Sequence, residues 1–513
     1  MNERSGASLP RRSSNGWSPW FFAVIACAGL IAMFIFFPQR AFTVRDESNY
    51  VGVALALAKE KSLDVVDPES LDGLVPWVTI KNGHRIPQHP LGISFLAAPL
   101  AGVFGWKSCY VLGFGIWLIG AYLFARLLER ERLPAAYTVL YLLFPPLLLY
   151  SRFYMTDVPS AVLCLAALYA LRIPEPEGDP VTRGFSDRRR AVLGMSALGL
   201  AFLVRQTNAI FIAPLAFVAL RQAIRRRERG LAIALIAMGA VFLGIHLALN
   251  DYYLGTAFAS SYDLARVGDE GSGLPPRFSL QNAAHNLPFY LVSLLTVYPL
   301  LLFALGRAWR ERRFVESICV TGGIAFYAVY HFTDRDANPL LSLVRGQRFL
   351  LPYSAILLLF YAKMLHERRF FRLLITRAPV VYVILAVAGI FGAAYAQTRF
   401  TRESVAAQKW AYEHTDGADT ELILENVDSA EFLHGAFAPR NYRMIRSGSQ
   451  FEEAFDRAAP SFERILVVET DHRYRRGERF AQPLAEAGGR GGFEVRTVHS
   501  VGPTTFVLLE RPR

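Results

Sequence analysis

Charged residues are scarce in this chain of 513 residues: they make up 19% of it, whereas 53% is hydrophobic. So little charge excludes an ordinary soluble protein. The charges that are present come in short Arg-rich runs between long uncharged stretches. This distribution predicts a polytopic membrane protein. The net charge of +12 does not indicate nucleic-acid binding, because the basic excess lies between apolar segments, where it sets membrane topology.

Cysteine is also scarce, and its positions exclude two common uses. All four cysteines fall inside hydrophobic segments, and no two stand at the spacing of metal ligands or as a pair in an exposed loop: Cys27, Cys109, Cys164 and Cys319. Neither a disulfide framework nor a cysteine metal site is therefore expected. Small core or lipid-facing side chains are the favoured interpretation.

Long hydrophobic runs are what the chain has in abundance. The first follows a short basic tail, 1–19, is longer than the apolar part of a signal peptide and lacks a cleavage site, so we expect an uncleaved signal anchor. About eleven transmembrane helices are predicted, near 20–38, 108–127, 134–150, 158–172, 190–204, 207–220, 231–249, 286–305, 314–332, 348–363 and 378–397. The stretch 91–105 is apolar but interrupted by proline and glycine, and it predicts a re-entrant or interfacial element.

The Arg-rich runs occupy alternate loops, which orients the chain. Short loops rich in Arg stay in the cytoplasm, so the N-terminal tail is predicted to be cytoplasmic as well. The loops of the other set then face outside: 39–107, 151–157, 205–206, 250–285 and 333–347. An odd number of spans also places the C-terminal part outside.

Residues 400–513 predict a separate extracytoplasmic domain that follows a transmembrane domain of residues 20–399. Strands are expected at 421–425 and 464–469, a helix at 451–459, and a terminal strand pair at 493–498 and 505–509. The class is small α/β. This domain lacks a Gly-rich phosphate loop, a metal cluster and a nucleophile elbow, and its Gly-rich run 488–492 precedes a strand, so it predicts a flexible turn.

Two adjacent acids, Asp46 and Glu47, follow the first predicted span directly. Carboxylates at a membrane boundary cost free energy unless they are solvated, paired or used in chemistry. One interpretation is a solvated helix end, in which Asp46 pairs with Arg45. A functional role is favoured because there are two acids, followed by Tyr50 and a helical pattern.

Further polar residues are predicted at the same membrane face, at the ends of distant spans. Asp157 starts the fourth span, where it could act as a helix N-cap ahead of Pro159 or as a site carboxylate. The cations of this face, each of which alone could be a snorkelling interface residue, are Arg205, Arg345 and Arg348, joined in the first outside loop by Lys81, His84, Arg85 and His89. A carboxylate beside cations suits a reaction in which a base takes a proton from a hydroxyl while cations hold a phosphate leaving group.

Five stretches of the chain, taken together, resemble the GT-C glycosyltransferases, and within them the bacterial relatives of protein O-mannosyltransferases and of the lipid A aminoarabinose transferase. The first carries the acid pair, the third carries Asp157 and the fourth carries Arg205. In the fifth, Thr256 and Ala257 stand where the family usually has Ser-Pro. The stretches are 45–50, 85–99, 150–157, 199–208 and 250–262.

The resemblance implies an inverting glycosyltransferase that moves a sugar from a polyprenyl-phosphate donor to an acceptor hydroxyl, at the outer face of the bacterial cytoplasmic (inner) membrane. It implies that Asp46 is the general base, that Glu47 shapes the site and that Asp157 is the second carboxylate. Arg205 and Arg348 become candidates for binding the phosphate. The remaining substrate-binding candidates are Arg345, Arg85, His89 and Tyr50.

The resemblance also implies a reaction that needs no metal or other cofactor, with a glycan, a lipid or a protein as acceptor. The first alternative is a transporter or a flippase for lipid-linked sugars, although the chain shows no internal repeat and its acids lie at one face rather than mid-span. A second alternative is a scaffold that uses residues 400–513 to bind a partner.

Overall fold

The computed structural model describes most of the chain. The described residues are 19–39, 42, 45–66, 79–81, 84–87, 90–171, 180–258, 278–330, 339–414, 421–426, 441–445, 448–470, 481–501 and 504–512. Everything stated below about the structure refers to these residues.

The first part of the chain is helical, as its hydrophobic runs predict. Up to residue 258 its elements are α1 (Pro19–Ile31, with a π-helical turn Ala32–Phe36), α2 (Arg45–Leu55, with a π-helical turn Ala56–Glu60), the antiparallel pair β1 (Thr79–Lys81) and β2 (His84–Ile86), α3 (Gly92–Phe104), α4 (Ser108–Arg130), α5 (Val139–Leu142), α6 (Pro145–Tyr150), α7 (Asp157–Leu171), α8 (Pro180–Val204), α9 (Ala209–Arg225) and α10 (Arg229–Leu254). After residue 277 come α11 (Leu280–Thr296), α12 (Leu302–Arg310), α13 (Phe314–Val329), α14 (Pro339–Gly346), α15 (Leu351–Glu367), α16 (Arg369–Arg377) and α17 (Pro379–His414).

The chain is a multi-pass helical membrane protein. Five helical stretches of the described residues are long and apolar enough to cross a bilayer: Ser108–Arg130, Gln206–Arg225, Arg229–Leu254, Ser342–Glu367 and Val380–Arg399. Shorter apolar helices accompany them, so the total of eleven spans stays a prediction. The helix α3 has 13 residues and is about 20 Å long, less than the hydrocarbon thickness, which agrees with a segment that does not span.

Two of the predicted spans are not continuous helices. The segment 134–150 breaks after α5, where Phe144 adopts an extended conformation (φ −65°, ψ 111°) directly before Pro145. Proline disfavours helical geometry in the residue before it, and this explains the break. The segment 286–305 breaks between α11 and α12, in a turn where Leu300 has a positive φ of 65°.

The predicted turn at Arg205 is confirmed. The helix α8 ends at Val204, Arg205 is extended (φ −156°, ψ 112°), and a 3₁₀ turn, Gln206–Asn208, leads into α9. Asn208 fixes this break, because its side-chain amide donates to the Ser160 hydroxyl and, at 2.8 Å, to the Ala201 carbonyl. Since Ser160 belongs to α7, the turn is tied to the helix that begins with Asp157.

The helix α7 is central to the membrane part. It packs against α4, α8 and α15, and most of its residues are buried. Its N-terminal turn therefore holds Asp157 in a position set by three neighbouring helices. The packing of these helices thereby fixes the location of the candidate site.

The C-terminal part forms the predicted α/β domain. Its elements are β3 (Glu421–Asn426), β4 (Asn441–Ile445), α18 (Gly448–Ala458), β5 (Arg464–Thr470), α19 (Ala481–Glu486), β6 (Gly489–Arg490), β7 (Phe493–Val501) and β8 (Thr504–Glu510). The sheet has the order β4-β3-β5-β8-β7-β6, in which β4, β3 and β5 are parallel and the other neighbours antiparallel. One face packs against α18 and α19, and the other against the end of α17.

The Gly-rich run opens no helix, in agreement with the sequence. It forms the tight turns around β6, and Gly489 has a φ of 144°. A Cβ atom at Gly489 would lie 2.1 Å from the Phe493 carbonyl oxygen, so only glycine fits there.

The helix α17 connects the membrane part to the sheet without a break. Its 36 residues correspond to about 54 Å, and they cross the predicted boundary at residue 399. The first half includes the apolar stretch Val380–Arg399, whereas Ala407 and Trp410 pack on the sheet with Phe506. The ring of Trp410 also stacks on His414 and His499.

We expect Trp410→Ala to destabilise the C-terminal domain by about 3–5 kcal/mol, because Trp410 is 9% exposed and packs on one face of the sheet. Thermal unfolding and limited proteolysis of the full chain in detergent measure the effect. Lys409→Ala, which alters an exposed neighbour on the same helix, is the control and should change stability by less than about 0.5 kcal/mol. Equal effects of the two changes would contradict this packing.

Candidate active site

The acid pair lies in the first turn of α2. The unsatisfied N–H groups and the dipole of a helix N-terminus favour negative charge, so this is a stabilising position for carboxylates. The two acids differ in their surroundings: Glu47 is 0% exposed, whereas Asp46 is partly exposed. The pair therefore consists of one carboxylate enclosed by protein and one at the surface of the site.

Glu47 joins four parts of the chain. The Tyr110 hydroxyl of α4 donates to its Oε2 at 3.1 Å, and the backbone N–H of Tyr154 donates to its Oε1 at 2.9 Å. The Tyr154 hydroxyl in turn donates to the Ile93 carbonyl of α3 at 2.8 Å. Through these bonds Glu47 holds α2, α3, α4 and the stretch before α7 in one arrangement.

Asp157 forms a buried ion pair with Arg205. Arg205 Nη1 donates to Asp157 Oδ1 at 2.6 Å, and Asp157 is 2% exposed. The Thr156 carbonyl accepts the N–H of Ser160, so the N-cap position falls on Thr156 and the Asp157 carboxylate serves the ion pair. Because Tyr154 contacts Glu47 and Asp157 lies three residues later, one short segment joins Glu47 to Asp157.

Two of the predicted cations share an aromatic ring. The guanidinium carbon of Arg205 lies 5.1 Å from the centroid of the Phe349 ring, and that of Arg348 lies 4.8 Å from it. Such contacts orient a guanidinium while leaving its edges able to bind an oxyanion. Arg345 lies one helical turn before Arg348, near the end of α14, and is partly buried. Arg205 and Arg348 thus lie on one ring, and Arg205 also pairs with Asp157.

Tyr327 is a second aromatic residue that contacts Arg205. Its hydroxyl lies 2.7 Å from Thr207 Oγ1, and its ring centroid lies 5.9 Å from the guanidinium carbon of Arg205. Neither Tyr327 nor Phe349 was predicted to belong to the site. Their only signal in the sequence was that Phe349 directly follows Arg348.

Arg152 is a further residue that sequence reasoning missed. It is 2% exposed, its Nε donates to Gln397 Oε1 at 3.2 Å and its Nη2 donates to the Phe37 carbonyl at 3.3 Å. Burial lowers the pKa of Arg152 to about 10, which still leaves the group charged at neutral pH. Arg152 therefore binds the end of α1 to α17 at the segment that carries Tyr154. Arg152 lies in the stretch 150–157, of which only Asp157 was predicted to belong to the site.

Two of the remaining predicted residues, Arg85 and Tyr50, are among the described residues. Arg85 lies near Glu60 and Asp64, about 20 Å from the acid pair along α2 and the π-helical turn that follows it. Burial lowers the pKa of Arg85, and the negative charges of Glu60 and Asp64 oppose that shift. Tyr50 is buried in the core, where its carbonyl accepts from Ser94 Oγ. His89 lies outside the described residues.

No group of three or more His, Cys, Asp and Glu side chains within the described residues is arranged to hold a metal ion. The sequence expectation of a metal-independent reaction stays a prediction.

We expect Tyr110→Phe to destabilise the membrane part by about 2 kcal/mol, because it removes a hydrogen bond to a carboxylate that is not exposed to solvent. The midpoint of thermal unfolding in detergent measures this. Tyr122→Phe, an exposed tyrosine on the same helix, is the matched control and should have no effect. If both changes lowered the midpoint alike, the bond to Glu47 would not be what stabilises this region.

No protein-family model matches the chain, and no curated protein is similar to it in sequence. Solved structures are similar to it in fold. The chain matches ArnT from Cupriavidus metallidurans in the apo state with a TM-score of 0.51 at 13% identity, over 96% of this chain and 97% of that one. It matches ArnT bound to undecaprenyl phosphate with a TM-score of 0.52 at 12% identity, over 96% and 98%.

A weaker similarity extends to the archaeal oligosaccharyltransferase AglB from Archaeoglobus fulgidus, with a TM-score of 0.48 at 14% identity, over 88% of this chain and 69% of that one. The likeness to ArnT covers nearly the whole of both chains. The chain therefore has the GT-C membrane fold that its five stretches predicted.

Proposed function

We propose that this protein is an inverting glycosyltransferase that moves a sugar from a polyprenyl-phosphate donor to an acceptor hydroxyl at the outer membrane face. The observation that carries the proposal is the junction of Glu47, the 151–157 segment and the Asp157–Arg205 pair. It joins carboxylates and cations that are far apart in sequence. A reaction that needs a base and an anion-binding group uses such an arrangement.

In this proposal, Asp46 is the general base. It takes the proton of the acceptor hydroxyl while that oxygen forms a bond to the anomeric carbon of the sugar. The bond from the anomeric carbon to the phosphate oxygen breaks, and the polyprenyl phosphate leaves with the electron pair. Asp46 is partly exposed and stands beside an enclosed carboxylate, so it is the acid of the pair that an acceptor can reach.

The guanidinium groups of Arg205 and Arg348 hold the leaving phosphate. Arg205 is oriented by Asp157 and Phe349, and the second cation lies on the same ring. Guanidinium groups suit this role because their N–H groups match phosphate oxygens and stay charged. Charge that is fixed before the reaction stabilises the charge that develops on the leaving group.

The shared fold supports the choice of donor. One of the ArnT structures contains undecaprenyl phosphate, and nearly its whole chain aligns with this one. A lipid phosphate places its tail in the bilayer and its headgroup at the membrane face, where we propose that the acids and cations lie. We further propose that this is the outer face of the bacterial cytoplasmic membrane, with the N-terminus in the cytoplasm.

We expect Asp46→Asn to lower sugar transfer roughly 100- to 10,000-fold while the protein still folds, because the amide cannot accept the proton. Transfer from undecaprenyl-phosphate sugars is measured with purified protein in detergent. The matched control is Asp64→Asn, which alters an acid of the same predicted loop that contacts His84 at 3.2 Å. Full activity of Asp46→Asn would disprove the assigned base, and transport without turnover in the wild type would favour a carrier.

We expect Arg348→Ala to weaken the binding of undecaprenyl phosphate about 10- to 100-fold, which corresponds to the loss of one hydrogen bond to a charged group. Binding of the lipid to protein in detergent is the measurement. Arg369→Ala, an exposed cation at the start of α16, is the control and should bind the lipid as the wild type does. Equal weakening by both changes would mean that Arg348 contributes only to the general positive charge.

A further inference from the structure

A cleft lies next to the Arg205 turn. Its walls come from the segment before α3, the end of α8 and the second half of α10, and they include Pro87, Pro90, Leu91, Leu203 and Leu249. None of the side chains assigned to the site above lines it.

One corner of the cleft is polar. Gln206 Nε2 lies 3.5 Å from both ring nitrogens of His246, and Asn250 Nδ2 lies 3.3 Å from His246 Nε2. Asn250 Nδ2 also donates to the Ala257 carbonyl at 3.1 Å. The contacts of His246 with the two amides are long for hydrogen bonds. The corner thus has donors and acceptors to offer to a ligand.

The described side chains that line the cleft include no Asp, Glu, Lys or Arg. A phosphate would have no cation to bind there, so the cleft suits a neutral ligand. Amide and imidazole groups both donate and accept, and this matches a hydroxyl group, which does the same. The proline and leucine walls match the apolar C–H face of a sugar ring.

The position of His246 supports a function. It lies eight residues before the end of α10, about 12 Å inside the apolar stretch Arg229–Leu254. Polar residues within a span are costly and commonly mark a substrate path. His246 is only half-buried, so it is not merely an enclosed core residue.

The cleft adjoins the candidate active site. Gln206 directly follows Arg205, and the backbone at Gly92 is in close contact with that of Leu203 at the end of α8. The first turn of α3 also carries Ile93, whose carbonyl binds the tyrosine that holds Glu47. The start of α3 therefore lies between the cleft and the acid pair.

We propose that this cleft binds a neutral sugar ring, with Gln206, His246 and Asn250 contacting its hydroxyl groups. The inference rests on the proposed function and names the part of the substrate that the cleft recognises. The sugar belongs to the lipid-linked donor or to a glycan acceptor, and the recognition chemistry is the same for both.

The test compares the binding of bare undecaprenyl phosphate with that of undecaprenyl phosphate carrying mannose, glucose, galactose or arabinose. The wild type should bind at least one sugar-bearing lipid more tightly than the bare lipid. Gln206→Ala and His246→Ala should weaken the binding of that lipid about tenfold, and leave the bare lipid within twofold. Leu249→Trp, which fills the cleft but keeps its polar corner, should act in the same way. His285→Ala, an exposed histidine on α11, is the control and should change neither affinity.

An acceptor sugar predicts a second supporting result: donor binding is unchanged in these variants, while the KM for a glycan acceptor in the transfer assay rises about tenfold. The proposal fails if the variants weaken both lipids alike, or if neither donor binding nor the acceptor KM depends on the cleft. If the wild type does not bind even the bare lipid, the proposed function itself fails. The two failures are therefore distinguishable.

Discussion

The arrangement of the candidate site depends on the burial of one carboxylate. Glu47 has no contact with solvent, and a buried charge is tolerated only if protein groups replace the water it has lost. The N-terminus of α2, the Tyr110 hydroxyl and the backbone of Tyr154 replace it. Since these donors come from separate elements, satisfying the charge requires those elements to meet. Glu47 thus fixes the position of its neighbour Asp46 relative to the 151–157 segment.

The 151–157 segment also holds other charged groups of the candidate site in place. Asp157 orients Arg205, and Arg152 connects the segment to α17 through Gln397. Each buried charge is held by partners on another helix, so a shift of one helix would leave charges unsatisfied on several others. A rigid face of this kind suits chemistry that depends on fixed charges, because little reorganisation is needed when a substrate develops charge. The partly exposed Asp46 is the exception, and its proposed role as the base requires a carboxylate that a substrate can reach.

The sequence predicted those structural features that depend on residues close together in the chain. The break at Arg205 and the strands β3, β5, β7 and β8 are set by hydropathy, spacing and turn chemistry, and they lie within a few residues of their predicted positions. Contacts between distant residues could not be predicted: Tyr154 is 107 residues from Glu47, and Arg152 is 245 from Gln397. A tyrosine or glutamine in an apolar run looks the same in sequence whether it faces lipid or binds a charge. Pro145 indicates the break at Phe144, whereas the predicted continuous span 134–150 followed from the length of the apolar run.

Because α17 is unbroken, it fixes the rotational position of the C-terminal sheet relative to the membrane part. It is anchored below by Gln397, which binds Arg152, and above by Trp410, which packs in the sheet. One residue inserted between these anchors would turn the sheet by about 100° about the helix axis and lift it by about 1.5 Å. Insertions or deletions that approach whole turns, such as seven residues for two turns, would therefore leave the sheet in nearly the same rotational position relative to the membrane part, whereas other lengths would turn it to face another direction.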